Sequence, residues 1–403
     1  MRWVESSMRL LRRPSGSRGP DLGLAASRAA LSALLLTGAL ACRKSPPPPI
    51  RIGLVTYVDG ALNGPPTTRA VEMAVSRVNA AGGILLGGKR RQVEVLRVAI
   101  AEGSPEPAVA AVQRFINQEK VCAIIGPPIS DEAIPAGGLA NRSGVPMISP
   151  LSTHSLTTKD RPFVFRVCFR DEFQGKAIAQ FARHTLKART AALMVNINIA
   201  YSRTIAEMFR QEFVRLGGRI VADESFLRGQ EDLAAPMRRI RQASADVLLI
   251  PNYRTASQQA GVAARQAGIK STLLGTDSWH RRELLPLPEF EGAYMVTNWS
   301  PDLDTPANGP FIADYRQRYS EDPTETAALT YDAATMLLQA IAASSDGSPS
   351  AIQKALYAPA GFQGTSGPIR YTSSGDPEKA AVILQFKAGK AVVASLVRPT
   401  ELQ

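Results

Sequence analysis

Three cysteines and three histidines among 403 residues are too few, and too scattered, for a disulfide scaffold or a zinc cluster. His154, His184 and His280 stand far apart, with no second histidine at helical spacing. Aromatic residues make up only 6% of the chain. The two basic clusters, Lys89-Arg90-Arg91 and Arg238-Arg239-Ile240-Arg241, lack the interleaved rings on which single strands stack, so nucleic acid is not an expected partner. No apolar run reaches the roughly 20 residues that span a bilayer. No G-x-S-x-G motif occurs. Without a nucleophile, base or metal constellation, neither an enzyme nor a bound cofactor or metal is expected. Gly83 to Arg90 approaches a phosphate-binding loop, with Arg90 where Ser or Thr should be. It follows a helical pattern and precedes a strand, the reverse of what phosphate binding requires, and reads as a turn.

What is present is an ordinary globular composition, 45% hydrophobic and 20% charged, in a chain longer than one core usually serves. Two compact units plus flanking segments are expected. Residues 1–28 carry Arg2, Arg9, Arg12, Arg13, Arg18 and Arg28 against Glu5 and Asp21, and an apolar stretch from Ala29 to Ala41 follows. That is the layout of a signal peptide over 1–41, with Met8 a second possible start. It ends in Ala39-Leu40-Ala41-Cys42, which resembles a lipobox with alanine in place of the usual leucine. Cys42 is therefore the expected lipidation site, with plain secretion the other reading. Residues 42–49, ending in Pro46 to Pro49, read as an extended tether. Cys122 and Cys168 lie in apolar, strand-like runs, where buried free thiols or a disulfide are both open.

From Ile50 onward, β-branched runs alternate with segments of helical period, the pattern of parallel sheets covered by helices on both faces. Strands are expected at 50–55, 92–100, 121–125 and 163–167, and again at 191–195, 220–226, 247–250 and 272–274. The tail reads as antiparallel strands around Gly375-Asp376 and Gly389. Two doubly wound α/β units in tandem fit this order, because 301–310 and the helices after it interrupt the alternation.

In open α/β sheets, ligands sit beyond the carboxyl ends of the strands. The loops there hold Ser130, which would cap a helix entering Ala133 to Leu139; Ser152 and Thr153; and Tyr201, Tyr253 and Asp277. Taken singly, each has another reading: a helix cap for Ser130, a turn for Thr153 and Asp277, half-buried rings for the tyrosines.

Several segments resemble the type 1 periplasmic binding proteins, in particular the leucine/isoleucine/valine-binding subgroup. They are Val78 to Ile84, Ala123 to Gly126, Pro146 to Pro150, Tyr315 to Pro323 with Tyr331-Asp332-Ala333, and Phe362 to Gly367. The resemblance implies two Rossmann-like lobes, 50–168 with 299–366 and 169–298 with 367–403, joined by three crossovers near Cys168, Asn298 and Gly367. It also implies a ligand cleft between them. Ser130 and Thr153 would hold an α-carboxylate, Ser152 would offer main-chain contact, Tyr201 and Tyr253 would wall the site, and Asp277 would meet an ammonium.

Departures from the pattern are Asp131 and Glu132 directly after Ser130, Asp277 in place of a glutamate, and Pro65-Pro66 where a lid aromatic is usual. The implied function is a monomeric, exported, lipid-anchored substrate-binding subunit of an ABC importer, partnered by its permease. Its ligand would be a branched-chain type amino acid or a related amide or amine. A lipoprotein interaction or sensory module on the same fold is the alternative.

Overall fold

The computed structural model describes residues 47–58, 63–227, 229, 232–279 and 281–402. The expected signal peptide, Cys42, the start of the tether and His280 lie outside the described residues. Strand β1 (Ile50–Tyr57) leads through α1 (Gly64–Ala80) to a hairpin, β2 (Ile84–Leu86) and β3 (Lys89–Arg91). Then come β4 (Val93–Ile100), α2 (Pro105–Arg114), β5 (Ala123–Ile125), α3 (Ser130–Arg142), β6 (Met147–Ser149) and β7 (Val164–Arg166). The second run begins with α4 (Asp171–Gln180), β8 (Thr190–Asn196), α5 (Ala200–Arg215) and β9 (Arg219–Phe226). It continues through α6 (Ala234–Ala243), β10 (Val247–Leu249), α7 (Arg254–Gln266), β11 (Thr272–Gly275), the short α8 (Arg281–Leu284) and β12 (Tyr294–Thr297). Helices α9 (Asn308–Tyr319), α10 (Glu325–Ala343) and α11 (Pro349–Leu356) follow. Last are β13 (Phe362–Gly364), β14 (Gly367–Ile369), β15 (Ala381–Lys387) and β16 (Lys390–Val397).

The first sheet has the order β4-β1-β5-β6-β7, with all pairs parallel. The second has the order β16-β15-β12-β11-β10-β8-β9, parallel from β9 to β12 and antiparallel where β15 and β16 extend it. In each sheet the chain fills one side of an interior strand and then returns to build the other. The reversal falls between β1 and β5 and between β8 and β10. Loops leaving the carboxyl ends diverge there and open a crevice.

Side chains alternate across the strands and divide each sheet between two cores. Ile52 and Leu54 pack with Val71 of α1 and Leu337 of α10, whereas Val55 and Tyr57 pack with Val112 and Ala136 of α2 and α3. Leu193 and Val195 meet Ile178 and Phe209, while Ala192 and Met194 meet Met237 and Ile240. Each sheet with its helices makes one lobe of an α/β fold.

The phosphate-loop lookalike is the β2–β3 hairpin, whose turn residues Gly87 and Gly88 have φ of 56° and 74°. Pro65 and Pro66 fall in the first turn of α1, where a missing N–H costs nothing. Cys122 and Cys168 are free thiols, the second fully buried and pushed above the usual thiol range by that burial.

The chain passes between the cores three times. Cys168 belongs to the first core and Phe169 to the second; Val296 belongs to the second and Trp299 to the first. The third passage lies between Tyr371 and Ala381, later than Gly367, because Ile369 and Tyr371 are buried in the first core. Tyr371 donates its hydroxyl to the Arg166 carbonyl at 2.7 Å. Asp332 explains why Tyr331 to Ala333 and Phe362 to Gly367 travel together. Its carboxylate accepts the Thr365 and Ser366 N–H groups at 2.6 and 2.9 Å and so holds the β13–β14 turn. No strand turns at Gly375-Asp376: Gly375 accepts the Arg166 N–H at 2.9 Å and Asp376 accepts Arg166 Nε at 2.7 Å.

Candidate functional site

The first half of the site starts where β5 ends. Gly126 has φ of 81°, and a Cβ there would stand 2.2 Å from the Val55 carbonyl oxygen, so only glycine lets the chain turn off the sheet at this point. Ser130 then opens α3 from inside the helix. The cap position is Ile129, and Ser130 does not cap it. Its Oγ instead accepts the Ser152 hydroxyl at 2.9 Å and the His154 N–H at 3.4 Å. Ser152 also shares a 2.6 Å bond with Thr157. Ser149 Oγ donates to the Pro127 carbonyl at 2.6 Å. Short hydroxyl side chains thus stitch the loop after β5 to the loop after β6.

Arg166, fully buried at the end of β7, holds that second loop from behind. Its guanidinium donates to the Ser152 carbonyl at 2.8 Å, the His154 carbonyl at 2.9 Å and Thr158 Oγ1 at 2.7 Å, and it pairs with Asp376. The carbonyls on either side of Thr153 are therefore fixed. Thr153 itself accepts the Asp171 N–H at its carbonyl, 3.0 Å away, so the loop is also tied to the start of the second lobe.

The second half is built at the carboxyl ends of β8, β10 and β11. The rings of Tyr201 and Tyr253 stack with centroids 4.9 Å apart and planes 14° from parallel. Tyr201 is buried and donates its hydroxyl to Asp277 Oδ1 at 2.5 Å. Gln174 donates to the same oxygen at 3.0 Å and accepts the Asp277 N–H at 3.0 Å. Burial raises the Asp277 carboxyl above its ordinary range, against these hydrogen bonds, and burial with the nearby Asp277 charge raises the Tyr201 phenol. Asn252 braces the loops between strands, accepting the Asn196 N–H at 2.9 Å while its own carbonyl accepts Ser278 Oγ at 2.6 Å.

Ser130 and Thr153 from the first lobe and Tyr201, Tyr253 and Asp277 from the second line one cavity of about 710 Å³. Five of the six residues singled out in the sequence therefore meet. Ser152 does not line the cavity; it lies fully buried behind Ser130. Of the two acids after Ser130, Asp131 faces the cavity, and Glu132 is buried, accepting the Gly103 N–H at 2.6 Å and the Tyr57 hydroxyl at 3.3 Å. Hydroxyls on one side, and rings with a carboxylate on the other, are the groups needed to replace water around a small zwitterion.

The sequence pattern of the periplasmic binding protein family matches residues 49–391. The chain belongs to that family. It is 27% identical over 355 residues to a Leu/Ile/Val-binding protein of Rhizobium johnstonii, covering 86% of this chain and 94% of the relative. A leucine-binding protein from Thermotoga maritima superposes with a TM-score of 0.79 at 28% identity, over 87% of this chain and 99% of that one. The branched-chain amino acid transporter substrate-binding protein of Streptococcus pneumoniae, solved with isoleucine, gives 0.78 at 27% identity, over 87% and 100%.

Two groups of this family member escaped the sequence reading. Asp171, first residue of α4, is fully buried, and the one side chain that acts on its carboxylate as a donor, Thr153, stands outside ordinary hydrogen-bond geometry. Burial pushes its carboxyl up to about 8, with the Thr153 side chain acting the other way and Asp277 adding to the rise. Glu325, at the start of α10, lines the cavity and is pushed up to about 7 by burial and by Asp277. An acid at a helix start ordinarily reads as a dipole partner, so neither position carried a signal in the sequence.

Proposed function

We propose that this chain is the substrate-binding subunit of an ABC importer and captures an α-amino acid between its lobes. The observation that carries this reading is the shared cavity, in which Ser130 and Thr153 stand opposite Tyr201, Tyr253 and Asp277. In this reading the ligand carboxylate takes the hydroxyls and the free N–H groups that open α3, and the ammonium takes Asp277 and the tyrosine faces. Asp171, which holds its proton in the free protein, becomes a negative group behind the ammonium only by releasing it. A ligand that touches both lobes favours the closed state by its contacts to each, without any bond being broken. The names of the relatives, which bind leucine, isoleucine or valine, support an amino acid as the cargo. The permease of the importer is the protein partner, with the chain acting as a monomer tethered through a lipid on Cys42 and residues 43–49. The partition into 50–168 with 299–366 and 169–298 with 367–403 belongs to the same proposal, amended at its last boundary as described above.

The test is a thermal-shift screen of the purified protein against the common amino acids. A ligand that binds only the native state at 100 times its dissociation constant adds about 2.7 kcal/mol of stability. At least one amino acid is expected to raise the melting temperature. A screen in which none does, on protein with an intact fold, counts against capture and leaves the interaction or sensory role in its place.

A further inference from the structure

The carboxylate and ammonium contacts leave several charged groups of the cleft unused, among them Glu102, Asp131, Arg282 and Arg281, and the last is held in a distinctive way. Arg281 opens α8, a few residues beyond Asp277, and lines the same cavity as Ser130, Thr153 and Asp277. Its guanidinium lies over the indole of Trp299, 5.3 Å from the ring centroid. Trp299 is fully buried, with its ring N–H held by Asn308 Oδ1 at 2.7 Å. Stacking on a fixed ring restricts the arginine and presents its fork in one place.

The neighbouring arginines are engaged to different degrees, and Arg282 has no carboxylate partner among the described residues. Arg254 is paired with Glu283, and Arg282 donates to the Asp322 carbonyl. Arg281 has no ion pair and no hydrogen bond among the described residues. Glu325 shares the wall and is the foremost carboxylate acting on Arg281, although it stands beyond ion-pair distance and its Oε1 is engaged by the Asn298 N–H at 2.7 Å and the Asn298 amide at 3.1 Å. Beside it, Thr326 donates to Asn63 Oδ1 at 2.8 Å, which leaves the Asn63 NH₂ as a further donor on the cavity wall.

A guanidinium does not give up its proton. Partly withdrawn from water, it is costly until an anion meets it, and its planar fork fits a carboxylate through two parallel hydrogen bonds. The α-carboxylate is already provided for by Ser130 and Thr153. An aliphatic side chain reaching Arg281 would displace its water and return nothing. We infer that Arg281 is the specificity-determining residue of the cleft and receives a second carboxylate at the far end of the ligand, so that the preferred amino acid is an acidic one. This rests on the amino-acid reading above.

Calorimetric titration with L-aspartate, L-glutamate, L-leucine and L-lysine tests it, on the wild type and on R281A and R281K. The wild type is expected to bind one of the acidic pair at least about tenfold more tightly than leucine, and R281A should cut that ratio by at least about tenfold. R281K, which keeps the charge and loses the fork, should fall between them. Leucine binding as tightly as either acid, or R281A weakening leucine and the acids by one common factor, overturns the assignment of Arg281 and leaves amino-acid capture standing. If no amino acid binds to folded wild type, capture fails and the assignment falls with it.

Discussion

Tyr201 donates its hydroxyl to Asp277 across 2.5 Å, so a residue placed after β8 orients the acid placed after β11. The bond spends one oxygen of the carboxylate on protein partners and holds the group in a buried position where an ammonium would have no water to fall back on. Asp277→Ala should therefore weaken an ammonium-bearing ligand by about 2 to 5 kcal/mol, the range for truncating one partner of a desolvated charge pair. Calorimetry checks it; unchanged affinity removes Asp277 from the site.

The pH dependence follows from Asp171. Its carboxyl is raised in the folded protein to about 8, with Asp277, Arg166 and Glu172 the charged groups acting on it. A native acid with a raised value holds a proton that the unfolded chain has released. Its contribution to stability is complete below about pH 4, the unfolded range, and is lost as pH rises through about 8. A cation beside Asp277 opposes that protonation, so binding releases a proton and affinity should rise between about pH 6 and about pH 8. Titrations in buffers of different ionisation enthalpy measure the release. Asp171→Asn should remove part of the slope, with Glu325, raised to about 7 on the same cavity wall, carrying the remainder, and a variant that keeps the full slope would show that Asp171 does not titrate on binding.

Arg166 joins the Thr153 loop to the third passage between the lobes through Asp376. Arg166→Met should lower stability by about 1 to 3 kcal/mol, because it leaves two loop carbonyls without their donor, while Asp376 keeps the Thr158 and Ser374 hydroxyls and Arg170. It should also weaken ligand binding by freeing Thr153. Denaturant melts and calorimetry together separate the effects: a loss of stability with wild-type affinity would make Arg166 a prop of the fold alone.

The proposed membrane attachment rests on the sequence around Cys42. Cys42→Ser should move the expressed protein from the membrane fraction to the soluble one and abolish labelling by a fatty-acid probe. A variant still labelled and still in the membrane fraction would place the anchor elsewhere.

Much of this architecture was legible before any coordinates. Apolar side chains that switch between period 2 and period 3.6 mark strands and helices because burial on one face is what each element needs. Strand ends then point to the loops that hold Ser130, Ser152, Thr153, Tyr201, Tyr253 and Asp277, and the family resemblance supplies the roles expected of them. The third passage was misread because Ile369 and Tyr371 look like any short apolar pair. Whether such a pair packs on the first core or the second depends on partners some 200 residues away in sequence, such as Arg166. Ser130 as a helix cap failed for a related reason: one hydroxyl can satisfy a helix end or a neighbouring loop, and Ser152 and His154 decided it.

The sequence alone determined the class of fold, the order of its elements and the set of polar residues that could gather at the strand ends, since each depends on local periodicity and chain order. Only the tertiary structure decided which of those residues share a cavity, which are spent on one another, and which charges are left without a partner. Burial and pairing are properties of what surrounds a side chain, and Asp171 and Arg281 acquire their meaning only when both lobes are folded around the same gap.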